Sequence, residues 1–274
     1  MSGDAALAAT LRRERAIALV ALLLIAAIAW SWVLREAARM AQFDMSAMAG
    51  MRMSHMQMMS PGFAPWTATL AAYLFAMWFV MMVGMMIPSA APMVLIYMGV
   101  ARQALTRGQR FASAGWFLLG YLVAWAAFAL VATLAQWLLE STALLTPAMQ
   151  IRNPRAGAVV LIVAGLYQWL PWKDACLAQC RAPLVFIQQH GGFPAGAAGA
   201  VRLGIRHGLY CVGCCWSLML LLFVGGVMNL LWIAALMCFV LLEKLAPQAR
   251  WIGRAAGALA ALAGLWNLLA NQPG

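Results

Sequence analysis

Seven stretches of the chain, residues 16–34, 66–90, 111–139, 156–172, 206–227, 229–245 and 251–269, are apolar over lengths approaching the ~20 residues an α-helix needs to cross a bilayer's hydrocarbon. Lipid offers backbone N–H and C=O groups no hydrogen bonds, so a spanning segment must satisfy them internally. With no alternating apolar–polar pattern to suggest a barrel, each run reads as a helix. Composition agrees: 66% of the 274 residues are apolar and 9% charged, far too little polar material to cover a water-soluble globule. The expected fold is all-α, a polytopic helical membrane protein of about seven transmembrane helices. It divides into an N-terminal helix with an outward Met-rich loop (1–65) and a helical membrane metal-binding domain (66–274). The segment 91–101 is apolar but too short to cross alone.

The net charge of +11 does not point to nucleic acid, because the 18 Lys and Arg residues are scattered in ones to threes between apolar runs. That spacing suits residues flanking membrane spans. With the N-terminus in the cytoplasm, Arg12, Arg13, Arg15, Arg102, Arg107, Arg110, Lys173, Arg181, Arg202, Arg206, Lys244, Arg250 and Arg254 face inward. Arg35, Arg39, Arg52, Arg152 and Arg155 face outward, a clear positive-inside bias. The first run continues through Trp30, Trp32 and Leu34 with no small-residue cleavage site, so it reads as a retained helix rather than a signal peptide. A multi-pass protein of a bacterial inner membrane is expected, with 35–65 outside and 173–205 inside.

Sulfur is distributed unevenly. Eight of the twenty methionines, Met40, Met45, Met48, Met51, Met53, Met56, Met58 and Met59, fall in the outward stretch with Asp44 and His55 among them. Thioethers are soft, neutral ligands that suit Cu(I) and, unlike thiols, survive an oxidising compartment. Met45, Met48, Met51 and His55 are therefore candidate ligands; the alternative is an interfacial amphipathic helix with flexible Met as filler. In the second run, Met77, Met81 and Met85 share one helical face, and Met82 and Met86 form an adjacent stripe. Thioethers one turn apart make a ladder for a soft cation, although a Met stripe standing alone is more often packing. Gly84 allows a neighbouring helix to approach, and Pro88 frees a carbonyl and bends the path.

The third group is thiol. Cys176 and Cys180 lie four residues apart on the expected inner side, and Cys211, Cys214 and Cys215 fall within a helical arc of about 100° near the inner end of the fifth run. Thiols facing a reducing compartment stay reduced and available to metal, and Cys211 and Cys214 have the Cys-x-x-Cys spacing of a ligand pair. Lys173, Arg181 and Arg206 are expected to lower thiol pKa values nearby. Cys238, alone in the sixth run, reads as packing.

Weaker signals have ordinary readings. Asp174 suggests a local ion pair with Lys173, Glu243 and Lys244 mark the interface at the end of the sixth run, and Asn229 caps the tight turn before it. His207, one turn before Cys211, is either a ligand or an interfacial hydrogen-bonding group. No nucleotide-binding glycine pattern, Ser-His-Asp set or carboxylate pair appears, so acid–base catalysis is not expected.

The segments Met81-Met-Val-Gly-Met-Met-Ile-Pro88, Tyr167-Gln-Trp-Leu-Pro-Trp-Lys-Asp-Ala-Cys-Leu-Ala-Gln-Cys-Arg181 and Cys211-Val-Gly-Cys-Cys-Trp216, followed by Gly226-Val-Met-Asn229 and Glu243-Lys244, resemble the predicted metal-binding integral membrane proteins of bacteria. Members of that family include a membrane copper chaperone that serves bacterial polyphenol oxidases. The resemblance spans about residues 66–250 and implies metal binding, with copper the favoured ion, in an inner membrane.

The reading that unites these features is a copper-handling chaperone or importer. Outer methionines capture Cu(I), Met77, Met81, Met82, Met85 and Met86 pass it on, and Cys176, Cys180, Cys211, Cys214 and Cys215 receive it for a cuproenzyme or a soluble copper chaperone. Zinc is the alternative ion. Two other classes compete: a membrane thiol–disulfide enzyme using Cys211 and Cys214 as its redox pair, and a non-catalytic scaffold of a membrane complex.

Overall fold

A computed structural model describes residues 2–51, 66–106, 112–146 and 148–270. Every regular element among them is helical. In chain order they are α1 (Ser2–Met51), α2 (Ala68–Thr106), α3 (Ala114–Ser141), α4 (Pro154–Tyr167), α5 (Pro171–Arg181), α6 (Pro183–Gln189), α7 (Ala197–Leu220), α8 (Leu222–Gly225), α9 (Leu230–Leu245) and α10 (Ala249–Ala270). The starts are written in the sequence. Pro154, Pro171 and Pro183 open helices where a missing N–H costs nothing, and the Asn153 and Asn229 side chains accept hydrogen bonds from Arg155 N at 2.9 Å and Trp232 N at 3.2 Å.

Five helices among the described residues are long and apolar enough to cross a membrane: Arg15–Met40, Ala68–Val100, Ala114–Ser141, Ala197–Gly225 and Ala249–Ala270. Five such helices are consistent with a multi-pass membrane protein. Two of the seven expected spans are shorter than that standard: α4 has 14 residues and α9 has 16, or roughly 21 and 24 Å against ~30 Å of hydrocarbon. Their directions nonetheless fit an up-and-down course. Gly165 approaches Gly257 while Gly264 approaches Ala158, so α4 and α10 are antiparallel. Leu221, just past the end of α7, accepts from Trp232 near the start of α9, and Cys211, further back in α7, accepts from Lys244 near the end of α9, so these two are also antiparallel.

One expectation about a loop is corrected, and one short apolar segment finds its place. The expected outward loop of 35–65 is helical as far as Met51, because Ala, Met, Gln and Arg are good helix formers and no proline intervenes before Pro61. The segment 91–101 is the continuation of α2, which runs through Pro88 and Pro92 without ending. Neighbouring helices can re-satisfy the carbonyls that prolines free inside a bundle, which is why a spanning helix tolerates them.

Large apolar side chains facing outward, such as Leu23, Val131, Leu231, Leu262 and Trp266, give the bundle the lipid-facing surface that a soluble protein would have to bury. Inside, the buried residues of α2, α3 and α7 form the core that holds the sulfur groups.

Candidate metal centre

Helices α3 and α7 meet through glycine. A Cβ on Gly204 would collide with the carbonyl oxygen of Phe117, one on Gly120 with that of Val201, and one on Gly208 would stand 2.5 Å from the Ala124 Cβ. Such small-residue contacts let two helices approach backbone to backbone. Because Phe117 meets Gly204 and, further along both helices, Ala124 meets Gly208, α3 and α7 run parallel. Gly204, Gly208, Cys211 and Cys215 recur every three to four residues, so one face of α7 carries the glycines and then the thiols. Close packing at the glycines thereby delivers the cysteines to the junction of α2 and α3.

Cys211, Cys214 and Cys215 are buried there. The Tyr121 hydroxyl lies 3.1 Å from Cys211 Sγ and 3.2 Å from the Met86 carbonyl oxygen, linking α3, α7 and α2 through one group. Lys244 Nζ donates to Cys211 Sγ at 2.9 Å and to Ser89 Oγ at 2.8 Å. Cys214 and Cys215 Sγ turn back on their own helix, donating to the Cys211 carbonyl at 3.1 and 2.9 Å. From α5, Cys180 comes within hydrogen-bonding reach of Cys211 and Cys214, and Cys176 packs beside Gly213, where an added Cβ would be 2.9 Å from its sulfur. All six cysteines are free.

Met77, Met81, Met82, Met85 and Met86 are all no more than 1% exposed, so both methionine stripes of α2 face the interior rather than lipid. Their α2 backbone begins beside Gln136, which accepts from the Trp78 indole N–H at 2.8 Å, and ends beside Tyr121 and Lys244. From Met77 to Met86 is roughly 14 Å of helix rise. The expected outer ligands are a different matter. Met45, Met48 and Met51 are backbone of α1, while their side chains and the whole of His55 lie outside the described residues.

Several expectations about charge are overturned. Lys173 does not pair with Asp174; it reaches Gln168 and Glu243, both buried with it, while Asp174 faces Arg254 at 3.3 Å and Arg250 at 3.7 Å. Adjacent residues on a helix point about 100° apart, which sends Lys173 inward and Asp174 to the rim. Arg181 binds the Ala246 carbonyl at 2.5 Å, so neither it nor Lys173 serves a thiol. The α5 thiols consequently move the other way: burial pushes the Cys176 thiol up, and Cys180 is pushed well up by its hydrogen bonds to Cys211 and Cys214 and then by burial. Glu243 and Lys244 are 2% and 7% exposed and so are interior groups, not interfacial ones. Cys238 is exposed on α9 and belongs to neither the core nor the thiol group.

Lys244, Tyr121 and Ser89 are the site residues that sequence reasoning missed. The signal was present for Lys244, since an ionisable residue at the end of an apolar run is costly unless it has a task. His207 is buried between Phe117, Phe186 and Tyr121, with ring centroids 5.7, 5.1 and 5.9 Å away, and its Nδ1 has no partner among the described residues.

Among the described residues, no group of three or more His, Cys, Asp or Glu side chains is already gathered to hold an ion. The back-turned rotamers of Cys214 and Cys215 and the ammonium on Cys211 account for that: the thiols satisfy one another, their helix and Lys244. The donor set is nonetheless soft throughout, thiol on α5 and α7 and thioether on α2, as a monovalent copper ion prefers.

Residues 75–267 match the model of the PpoB2 family, described as a copper chaperone. The matched region includes the α2 methionines and all the cysteines, and excludes α1. No curated protein and no solved structure matches the chain.

Proposed function

This chain belongs to the PpoB2 family of copper chaperones, and we propose that it carries Cu(I) within the membrane from the thioethers of α2 to the thiols of α5 and α7. The observation that carries this reading is that the end of the buried methionine stripe and the thiol group share one set of hydrogen bonds, through Tyr121 to Met86 and Cys211 and through Lys244 to Ser89 and Cys211. An ion leaving Met86 would meet sulfur without passing through lipid.

Met77, Met81, Met82, Met85 and Met86 are the transit ligands, and Cys180, Cys211, Cys214 and Cys215 hold the ion, with Cys176 next to them. Transfer from thioether to thiolate runs toward the stronger soft ligand, so the favoured direction is toward the cysteines. With the N-terminus in the cytoplasm, as the positive-inside bias favours, that direction is inward across a bacterial inner membrane, and the ion is held for a cuproenzyme or its own chaperone. Met45, Met48, Met51 and His55 would gather it outside. The role is that of a carrier; the family description names copper, with no mention of zinc.

Competition with a Cu(I) chelator tests this on the full chain in detergent. The wild-type protein should retain Cu(I), and replacing Cys211, Cys214 and Cys215 with Ser should release it. Retention by the Ser variant would remove the thiols from the copper site, and a mixed disulfide trapped on Cys211 without any copper binding would replace the reading with thiol–disulfide chemistry.

A further inference from the structure

One face of α3 carries Glu140, Gln136, Ala132, Ala129, Trp125 and Tyr121, all buried and three to four residues apart. Tyr121 ends this face at the thiols. The other end, beside Trp78 of α2, holds a second polar cluster that no step above uses. Here we infer that Glu140, Gln136 and Met149 form a loading site where Cu(I) gathered outside is seated before it enters the α2 methionines. The inference rests on the copper-carrier reading of the α2 stripe and adds a site to it.

Three independent features converge. Glu140 Oε1 accepts from Gln136 Nε2 at 2.7 Å and Oε2 from the Trp66 indole N–H at 2.9 Å, yet among the described residues no Lys, Arg or His pairs with it. A buried carboxylate without a paired cation, in the last turn of a membrane-spanning helix, is the kind of group that marks ion pathways in membrane proteins. Second, Met149 has φ 54°, a left-handed conformation that an unbranched side chain with a Cβ adopts only when its surroundings enforce it. The enforcement is visible: Met149 N donates to Thr146 O at 2.9 Å, Ile151 N to Phe223 O at 2.8 Å, and Gln150 Nε2 to Val224 O at 2.9 Å. Third, this strained turn aims the thioether at the carboxylate's own partner, since Gln136 Nε2 also donates to Met149 Sδ at 3.4 Å. Sulfur and carboxylate oxygen thus flank a single amide nitrogen.

A monovalent cation taking the place of that nitrogen would find one anionic oxygen, one soft sulfur and local neutrality. Gln136 would stay tethered through its Oε1 to Trp78, one residue from Met77 and on the face of Met81, Met82 and Met85. One hard and one soft donor hold Cu(I) less tightly than a set of thiols, which is what a site that passes its ion onward requires.

The test uses the full chain in detergent with Cys180, Cys211, Cys214 and Cys215 all changed to Ser, titrated with Ag(I) as a redox-inert stand-in for Cu(I). A residual, weaker binding event is expected, and Met149→Leu and Glu140→Gln should each weaken it by about 10-fold or more, the scale on which ligand-shell changes act. Both substitutions preserve volume, and a melting temperature close to that of their parent would separate lost binding from lost fold. With the cysteines intact, the same two substitutions should leave final Cu(I) occupancy unchanged and slow its uptake. The inference is overturned if the Ser background shows no residual binding while the wild type binds, or if that binding survives both substitutions. Should wild type itself take up no Cu(I), the copper reading falls and this site with it.

Discussion

The Lys173–Glu243 pair offers a quantitative check on how the thiol-bearing α5 is held. The two side chains are 2% and 3% exposed, and Gln168 supplies the only other partner of the ammonium among the described residues. Changing Glu243 to Gln leaves Lys173 buried without its counter-charge, a loss of about 3–5 kcal/mol for a desolvated pair. By contrast Asp174 faces Arg250, whose side chain is 64% exposed, and Asp174→Asn should cost no more than ~1 kcal/mol. At roughly 2–4 °C per kcal/mol for a chain of this size class, Glu243→Gln should lower Tm by on the order of 10 °C and Asp174→Asn by a few degrees at most. A thiol-reactive fluorophore reports the melt directly, because Cys211, Cys214 and Cys215 become reactive only as the bundle opens, while exposed Cys238 sets the starting signal. Lys173→Met combined with Glu243→Leu should recover most of the loss, since apolar replacements remove both charges together. A Glu243→Gln melt within ~2 °C of wild type, or a double variant no better than the single one, would refute the claim that this pair is desolvated and pins α5 to α9.

Further outcomes follow from the same geometry. Gly204→Ala drives a methyl into the Phe117 carbonyl and must separate α3 from α7, so it should cost about 1–3 kcal/mol and weaken Cu(I) retention by moving Tyr121 away from Cys211, measurable by melt and chelator competition together. Asn229→Ala removes the side-chain acceptor at the start of α9 and should cost ~1 kcal/mol in the same melt without changing Cu(I) affinity. Cys176 and Cys180 hold their protons above the ordinary thiol range. Their contribution to stability is therefore present in full below the pKa of an unfolded thiol and is lost as pH rises from there through the folded values; melts recorded from pH 7 to about 10 should show Tm falling, and less so in a Cys176→Ser, Cys180→Ser variant.

How much of this was legible in the sequence depends on which physical signal a residue carries. Membrane character was readable because hydropathy over twenty residues is additive and needs no partner. The shared face of Met77, Met81 and Met85, the adjacent stripe of Met82 and Met86, and the shared face of Cys211 and Cys215 followed from the 3.6-residue period, but the period alone does not say whether a stripe faces the interior or lipid. Ends and pairings were not. Whether α2 stops at 90 or runs to Thr106 depends on neighbours that relieve Pro88 and Pro92, and whether 40–51 is loop or helix depends on weak propensities that a Met-rich count does not weigh. Lys173, Glu243 and Lys244 were misassigned for a related reason. Local order suggested Lys173 with Asp174, whereas the actual partners are 70 residues apart in the first case and 33 in the second, and only the packing of α5, α7 and α9 brings them together. The Glu140–Gln136–Met149 cluster was invisible because its members lie on a helix and in a turn, and Met149 is conspicuous only through its backbone angle.

The central claim, that copper is carried on sulfur inside the bundle, is tested most directly by X-ray absorption at the copper edge of the Cu(I)-loaded full chain. A monovalent edge with sulfur as the sole nearest scatterer, and replacement of that thiolate shell by a weaker, longer thioether one when Cys180, Cys211, Cys214 and Cys215 become Ser, is the predicted result. Copper ringed by nitrogen or oxygen, or a sulfur shell indifferent to those four substitutions, would contradict it.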